Sequence, residues 1–203
     1  MLKWVKNNIK LFGNAGAMMG STLITSGTGF VYWWFATRTY LPETVGLTSA
    51  GVAAIMLLTT LCLMGLGTWL ISELPKNPQQ APRLVSTAFL VSSIVTAVVS
   101  TLFILMGGLI SDDLAHFSAS PLILILFLIG AVLNTAFILA DEILIAILKG
   151  HLQFMNNAIF AISKLIMLVL LGLLFPEAPA IVVFTTWTLG NGLSLLVLLG
   201  LAI

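Results

Sequence analysis

The sequence predicts an all-α, polytopic membrane protein. Two observations carry that prediction: the length of its uncharged runs, and the confinement of charge to the gaps between them. No Lys, Arg, Asp or Glu occurs between Lys10 and Arg38, Glu43 and Glu73, Arg83 and Asp112, or Asp113 and Asp141. Each run exceeds the about 20 residues that a helix needs to cross a bilayer's hydrocarbon core, where backbone polar groups must be satisfied within the chain. Of the 203 residues, 60% are hydrophobic and 7% charged, with a mean hydropathy of +1.15. A soluble domain carries roughly 25% charged residues, so this chain cannot cover a water-facing surface. Its net charge of +1 gives no footprint for nucleic acid.

Six spans are expected in one domain over 1–203, near 11–36, 44–71, 84–109, 121–148, 152–175 and 179–203. The opening Met-Leu-Lys-Trp-Val-Lys has the charged start of a signal peptide. The run after Lys10 nevertheless outlasts a signal's about 7–15-residue apolar core, so it reads as a retained first helix. Pro42 fits the first position of the second span, where a missing N–H wastes no hydrogen bond, and Pro121 and Pro179 open two later spans likewise. Short connections make successive spans antiparallel. In that alternation Lys3, Lys6, Lys10, Lys76, Arg83 and Lys149 fall on one side and Arg38 on the other. Lys and Arg in short loops resist translocation, so both termini are expected in the cytoplasm. Trp33, Trp34 and Trp4 fit an interfacial aromatic belt, and the lone Cys62 a small buried hydrophobe.

Polar residues inside the spans carry the functional signal. On a helix, Asn14, Ser21, Thr25, Thr28 and Tyr32 share a narrow arc, with Gly16, Gly20 and Gly27 on the opposite side. The glycines suit close helix approach. The polar stripe either lines a wet cavity or consists of hydroxyls bonded to their own preceding carbonyls. Asn134, Thr135, Asp141, Glu142 and Lys149 share a face of the fourth span; Asn156, Asn157, Ser163 and Lys164 share one of the fifth. An ionisable group at the centre of a span costs about 2.5–3.5 kcal/mol, so such groups pair, face the interior or line a path. The spacing allows Asp141 and Lys164 to form an interhelix pair, either structural or serving anion binding or H+ or Na+ coupling together with Glu142; the alternative is that Lys164 snorkels to the lipid headgroups.

Enzymatic constellations are absent from the sequence. His116 and His151 lack Cys or carboxylate partners at metal-ligand spacing, and no phosphate-binding loop, nucleophile elbow or zinc-protease motif occurs. No catalytic residue, metal or cofactor is expected.

Part of the chain resembles a known family. The residues are Gly29-Phe30, Phe35-Ala36-Thr37-Arg38, Leu41-Pro42-Glu43-Thr44-Val45-Gly46, Ala50, Gly65-Leu66-Gly67-Thr68, and Glu73-Leu74-Pro75. This pattern is similar to the opening of polysaccharide and oligosaccharide flippases in the multidrug/oligosaccharidyl-lipid/polysaccharide exporter superfamily. It continues with the acid Asp141 and with Ser163-Lys164. The resemblance gives Arg38, Pro42, Gly46, Gly65, Gly67 and Pro75 structural roles. It implies a six-helix N-terminal lobe of a MATE-like two-lobe transporter, the second lobe being absent from this chain and supplied by a separate lobe or a homodimer partner. It further implies a multi-pass protein of the cytoplasmic membrane that moves a lipid-linked oligosaccharide or polysaccharide precursor, such as one for lipopolysaccharide, between leaflets. Asn14, Thr25, Tyr32, Asn134 and Asn156 would then be sugar contacts along the substrate path and Lys164 the phosphate partner. Two other readings remain at this point: a multidrug/cation antiporter of the same superfamily, and a non-transporting six-helix membrane subunit.

Overall fold

A computed structural model describes residues 9–110, 121–175 and 179–202. Among the described residues there are seven helices and no strands. They are α1 (Ile9–Thr39), α2 (Pro42–Leu63), α3 (Leu66–Glu73), α4 (Ala81–Ile110), α5 (Pro121–Ala146), α6 (Gly150–Leu174) and α7 (Ala180–Ala202). Five of them, α2, α4, α5, α6 and α7, are long and apolar enough to cross a bilayer. The chain is a multi-pass membrane protein. The sequence leads one to expect a sixth apolar span in α1. At 31 residues α1 has the length, but its Gly, Ser, Thr and Asn side chains dilute its apolarity, and it is not among the five.

A second correction concerns the expected continuous span over 44–71. The helix stops after Leu63, and the chain passes through left-handed backbone at Met64 (φ 43°) and Gly65 (φ 78°) before α3 begins at Leu66. Gly65 adopts that conformation freely, whereas Met64 bears about 1–2 kcal/mol of steric cost. Both flanks are apolar, so hydropathy runs straight through the break. Left-handed backbone also ends α5, at Leu148 (φ 55°), two residues beyond Ala146. There the Lys149 N–H reaches back to the Leu144 carbonyl at 2.8 Å, closing the helix end. The prolines act as the sequence predicts. Pro42 and Pro121 are the first residues of α2 and α5, and Pro179 immediately precedes α7. Leu41, before Pro42, is extended (φ −60°, ψ 145°), as the residue before a proline prefers.

In the bundle α1 lies along α6, α6 packs on α7, α4 packs on α5, and α5 also touches α2, α3 and α7. The main core joins Val52, Ile55 and Leu58 of α2 to Ile104 of α4, Phe127 of α5, Phe160 of α6 and Phe184 and Trp187 of α7. Phe127 stacks between Phe103 and Phe184, each ring centroid 6.3 Å away. Because lipid is as apolar as these side chains, close packing and interhelix hydrogen bonds hold such a bundle together, rather than removal from water. Among the polar ties, Asn134 donates to Thr59 at 3.1 Å, and Thr135 bonds Thr96 at 3.0 Å and Thr59 at 3.4 Å, joining α2, α4 and α5. The outer surface is apolar, with Leu23 and Leu173 each 74% exposed, as a lipid-facing surface requires.

Asn14 near the start of α1 meets Gly150, where α5 passes into α6. Phe35 and Thr39 near the end of α1 meet Gly172 at the far end of α6. Lys149 therefore lies at the end of the bundle opposite Arg38. The contact of Gly67 with Glu142 brings α3, and with it Lys76 and Arg83, to the Lys149 end. For Lys76, Arg83 and Lys149 against Arg38, this segregation matches the charge bias read from sequence. Lys3, Trp4, Lys6, Asp112, Asp113, His116 and Glu177 lie outside the described residues.

Candidate functional site

The helix packing leaves a polar-edged cleft between α1 and α2. α1 and α2 follow each other in the chain yet scarcely touch, because α1 is committed to α6 and α2 to α5 and α7. Between them lies a cavity of about 480 Å³, walled by Thr25, Ser26, Gly29, Tyr32 and Trp33 of α1 and Ser49, Val52, Ala53 and Met56 of α2. Phe160 and Lys164 of α6 and Trp187 of α7 form the rest of its lining. Ser26 and Met56 are exposed, whereas Tyr32, Lys164 and Trp187 are buried.

Lys164 is the chemically distinctive residue of the cleft. It is only 7% exposed. Its Nζ lies 4.3 Å from the Phe160 ring centroid and 5.7 Å from that of Tyr32. Phe160 is one helical turn before Lys164 on the same face, and its ring is set edge-on against Trp187, 6.0 Å between centroids. α6 can approach α7 at this level because residue 190 is glycine; a Cβ there would stand 3.1 Å from the Lys164 Cβ. Each ring face offers the ammonium about 0.5–2 kcal/mol, against about 2.5–3.5 kcal/mol for placing a lysine at that depth. Among the described residues Lys164 has no carboxylate partner; the ion pair found there is Lys76–Glu73, at 3.0 Å. The cleft thus presents a buried lysine whose ammonium rests on aromatic rings, with no carboxylate against it among the described residues.

The expected Asp141–Lys164 pair does not form. Asp141 is held instead by amides: Asn156 donates to one carboxylate oxygen at 3.0 Å and Asn157 donates to the other. These donors sit nearer than Lys164 to the α5–α6 turn, level with Asp141, and satisfy it before the longer reach to Lys164 is needed. Glu142 faces α3, where its Cγ would lie 2.7 Å from a Cβ at position 67; Gly67 makes that contact possible.

The predicted path residues therefore divide. Thr25, Tyr32 and Lys164 line one cleft. Asn156 is committed to Asp141 and Asn134 to Thr59. Asn14 caps α6, accepting the Gly150 N–H on its side-chain oxygen at 2.6 Å. On α1 the threonines take the local option, Thr25 donating to the Ser21 carbonyl at 2.8 Å and Thr28 to that of Ile24, whereas the buried Ser21 hydroxyl has no partner among the described residues. Of the glycine face only Gly20 meets another helix, at Phe154; nothing lies within 4 Å of a Cβ at Gly16 or Gly27. Among the motif residues, Arg38 stacks over Trp34 at 4.9 Å, Pro42 starts α2, Gly65 breaks α2 from α3, and Gly46 and Pro75 are exposed. Cys62 is a buried free thiol, as expected.

Sequence reasoning missed the α7 contribution. Thr186 bonds the Tyr32 hydroxyl at 3.0 Å, and Trp187 forms part of the cleft. Thr186, Thr188, Asn191 and Ser194 are all buried polar residues within one apolar run, and that clustering was the available signal.

Fold and cleft together define a multi-pass helical membrane protein with a buried lysine in a polar-edged cleft. Residues 11–202 match a family described as polysaccharide biosynthesis protein, and the chain belongs to that family. Searches among curated proteins and among solved structures find no match.

Proposed function

We propose that this protein is the N-terminal lobe of a flippase that carries a lipid-linked oligosaccharide or polysaccharide precursor from the inner to the outer leaflet of the cytoplasmic membrane. It works as a transporter rather than an enzyme. The observation that carries this reading is Lys164, a buried cation with no carboxylate partner among the described residues, on the wall of a cleft edged by Thr25, Ser26, Tyr32 and Ser49. A pyrophosphate-linked sugar needs a cation for its phosphates and hydrogen-bonding groups for its hydroxyls, while its lipid tail stays in the bilayer. In this reading α1, the broken α2–α3 pair and α4 to α7 make six crossings. A second six-helix lobe supplies the opposite wall, and the two rock against each other in a MATE-like cycle. Both termini are cytoplasmic. Asp141, bound by two amides apart from the cleft, is the residue for H+ or Na+ coupling.

The test is transport of a fluorescent polyprenyl-pyrophosphate sugar in proteoliposomes carrying this lobe together with a second six-helix lobe. Lys164→Met should slow flipping at least about tenfold, the loss expected for one charge-assisted contact, while Lys164→Arg keeps most of the rate. A folded Lys164→Met protein that flips at the parental rate would reject the assignment.

A further inference from the structure

A second cavity, separate from the cleft, lies where α3 meets α4 at the Lys- and Arg-rich end of the bundle. It measures about 460 Å³ and is lined by Leu66 and Trp69 of α3, by Gln80, and by Arg83, Leu84, Thr87, Ala88 and Val91 of α4. Its chemistry is graded along its length. Arg83, Thr87 and Val91 are spaced four residues apart, so they rise along one helical stripe for about 12 Å, from a charged end to an apolar one. Gln80 and Arg83 stand at the entrance, Ala88 is buried in the floor, and Leu66 and the 46%-exposed Trp69 form the facing wall.

The charge at the entrance is uncompensated. Two acids lie on or against α3. Glu73 is taken by Lys76 at 3.0 Å and by the Asn77 amide at 3.0 Å. Glu142 packs on the Gly67 side of α3, whereas Leu66 and Trp69 are the α3 residues that line the cavity. Arg83 is exposed and has no carboxylate partner among the described residues.

We propose that this groove holds one anionic phospholipid. Arg83 and the Gln80 amide engage the phosphate, the Trp69 indole sits at headgroup level, and an acyl chain lies along Leu84, Ala88 and Val91. A cation and an amphipathic aromatic above an apolar channel, at the basic end of a helix bundle, match an anionic headgroup with its tail attached. A soluble phosphate would leave the part of the groove lined by Leu66, Leu84, Ala88 and Val91 unfilled.

The experiment is native mass spectrometry of the detergent-purified full chain titrated with phosphatidylglycerol, phosphatidylcholine or inorganic phosphate. One phosphatidylglycerol should be retained in preference to phosphatidylcholine. Arg83→Gln should weaken that retention about fivefold, the effect of a single cation on an anionic lipid. Val91→Trp, which blocks the apolar end, should weaken it as well, whereas Arg38→Gln at the opposite end of the bundle should leave it unchanged. Equal retention of the two lipids, unchanged binding in Arg83→Gln, or displacement of the lipid by inorganic phosphate would overturn the proposal.

Discussion

Lys164 and Asp141 lie on facing helices and do not meet, and that separation decides how each responds to substitution. Asp141 accepts from Asn156 and Asn157, while Lys164 rests on the rings of Phe160 and Tyr32. Asp141→Asn turns one acceptor oxygen into a donor facing other donors, and should lower stability by about 1–3 kcal/mol. Lys164→Met removes a desolvated charge and should leave stability unchanged or raise it. Because the two share no partner, the double substitution should equal the sum of the singles within about 0.5 kcal/mol. Thermal unfolding in detergent, followed by size-exclusion chromatography, measures this; rescue of Asp141→Asn by Lys164→Met would restore the ion pair. The same contrast marks what the sequence can say about a site. Helical spacing places Tyr32 and Lys164 on inward faces, and both are buried. It gives each residue a direction on its own helix but not the neighbour it meets, so Asn14, Asn134 and Asn156, equally polar and inward, turn out to bind helix ends and other side chains. Only the packing of α1 on α6 selects which of them reach the cleft.

At the scale of elements, two small contacts set the geometry of the Lys-rich end. Asn14 caps α6 through the Gly150 N–H at 2.6 Å, and a Cβ at Gly150 would stand 3.1 Å from the Asn14 Cα. Asn14→Ala should therefore lower stability by about 1 kcal/mol, as loss of a cap does, without weakening the interaction with glycan substrate. A change confined to substrate affinity would return Asn14 to the path. Gly67 carries the second contact. A methyl there would crowd Glu142 at 2.7 Å from Cγ and 3.1 Å from Cβ, atoms close to the α5 backbone that cannot swing aside. Gly67→Ala should cost about 1–3 kcal/mol by overpacking, and Glu142→Ala should recover most of it in the double variant. Unfolding temperatures of the four proteins complete the cycle; a Gly67→Ala loss that survives Glu142→Ala would place the cause in the α3 backbone. Most of these elements were legible because charge-free runs and prolines mark them directly. The α2–α3 break was not, since it depends on left-handed backbone at Met64 and Gly65 inside an unbroken apolar stretch, where hydropathy is blind to dihedral angle.

For the whole molecule the topology turns on α1, which stands beside five helices whose apolarity alone is sufficient to cross a membrane. Most of its polar side chains are accounted for within the bundle: Asn14 is spent on Gly150, Thr25 and Thr28 on their own helix, and Tyr32 on Thr186, while the buried Ser21 hydroxyl has no partner among the described residues. Its outer face carries Met19, Leu23 and Phe30, each at least 70% exposed. A helix whose backbone bonds and most of whose polar side chains are satisfied within the bundle, and whose outer face is apolar, meets the requirements of a span even when its mean hydropathy is modest. Its two ends also lie at opposite ends of α6, which is long and apolar enough to cross. If α1 and the α2–α3 pair both cross, Thr37 and Lys76 stand on opposite sides of the membrane. In a Cys62→Ser background, Thr37→Cys should be labelled by an impermeant thiol reagent added outside intact cells, and Lys76→Cys only after permeabilisation. That outcome would also fix the Lys- and Arg-rich end as cytoplasmic, as the loop charges require. Labelling of both positions from the same side would mean that the broken α2–α3 segment turns back within the bilayer. The cleft between α1 and α2 would then have to be rebuilt on a different topology.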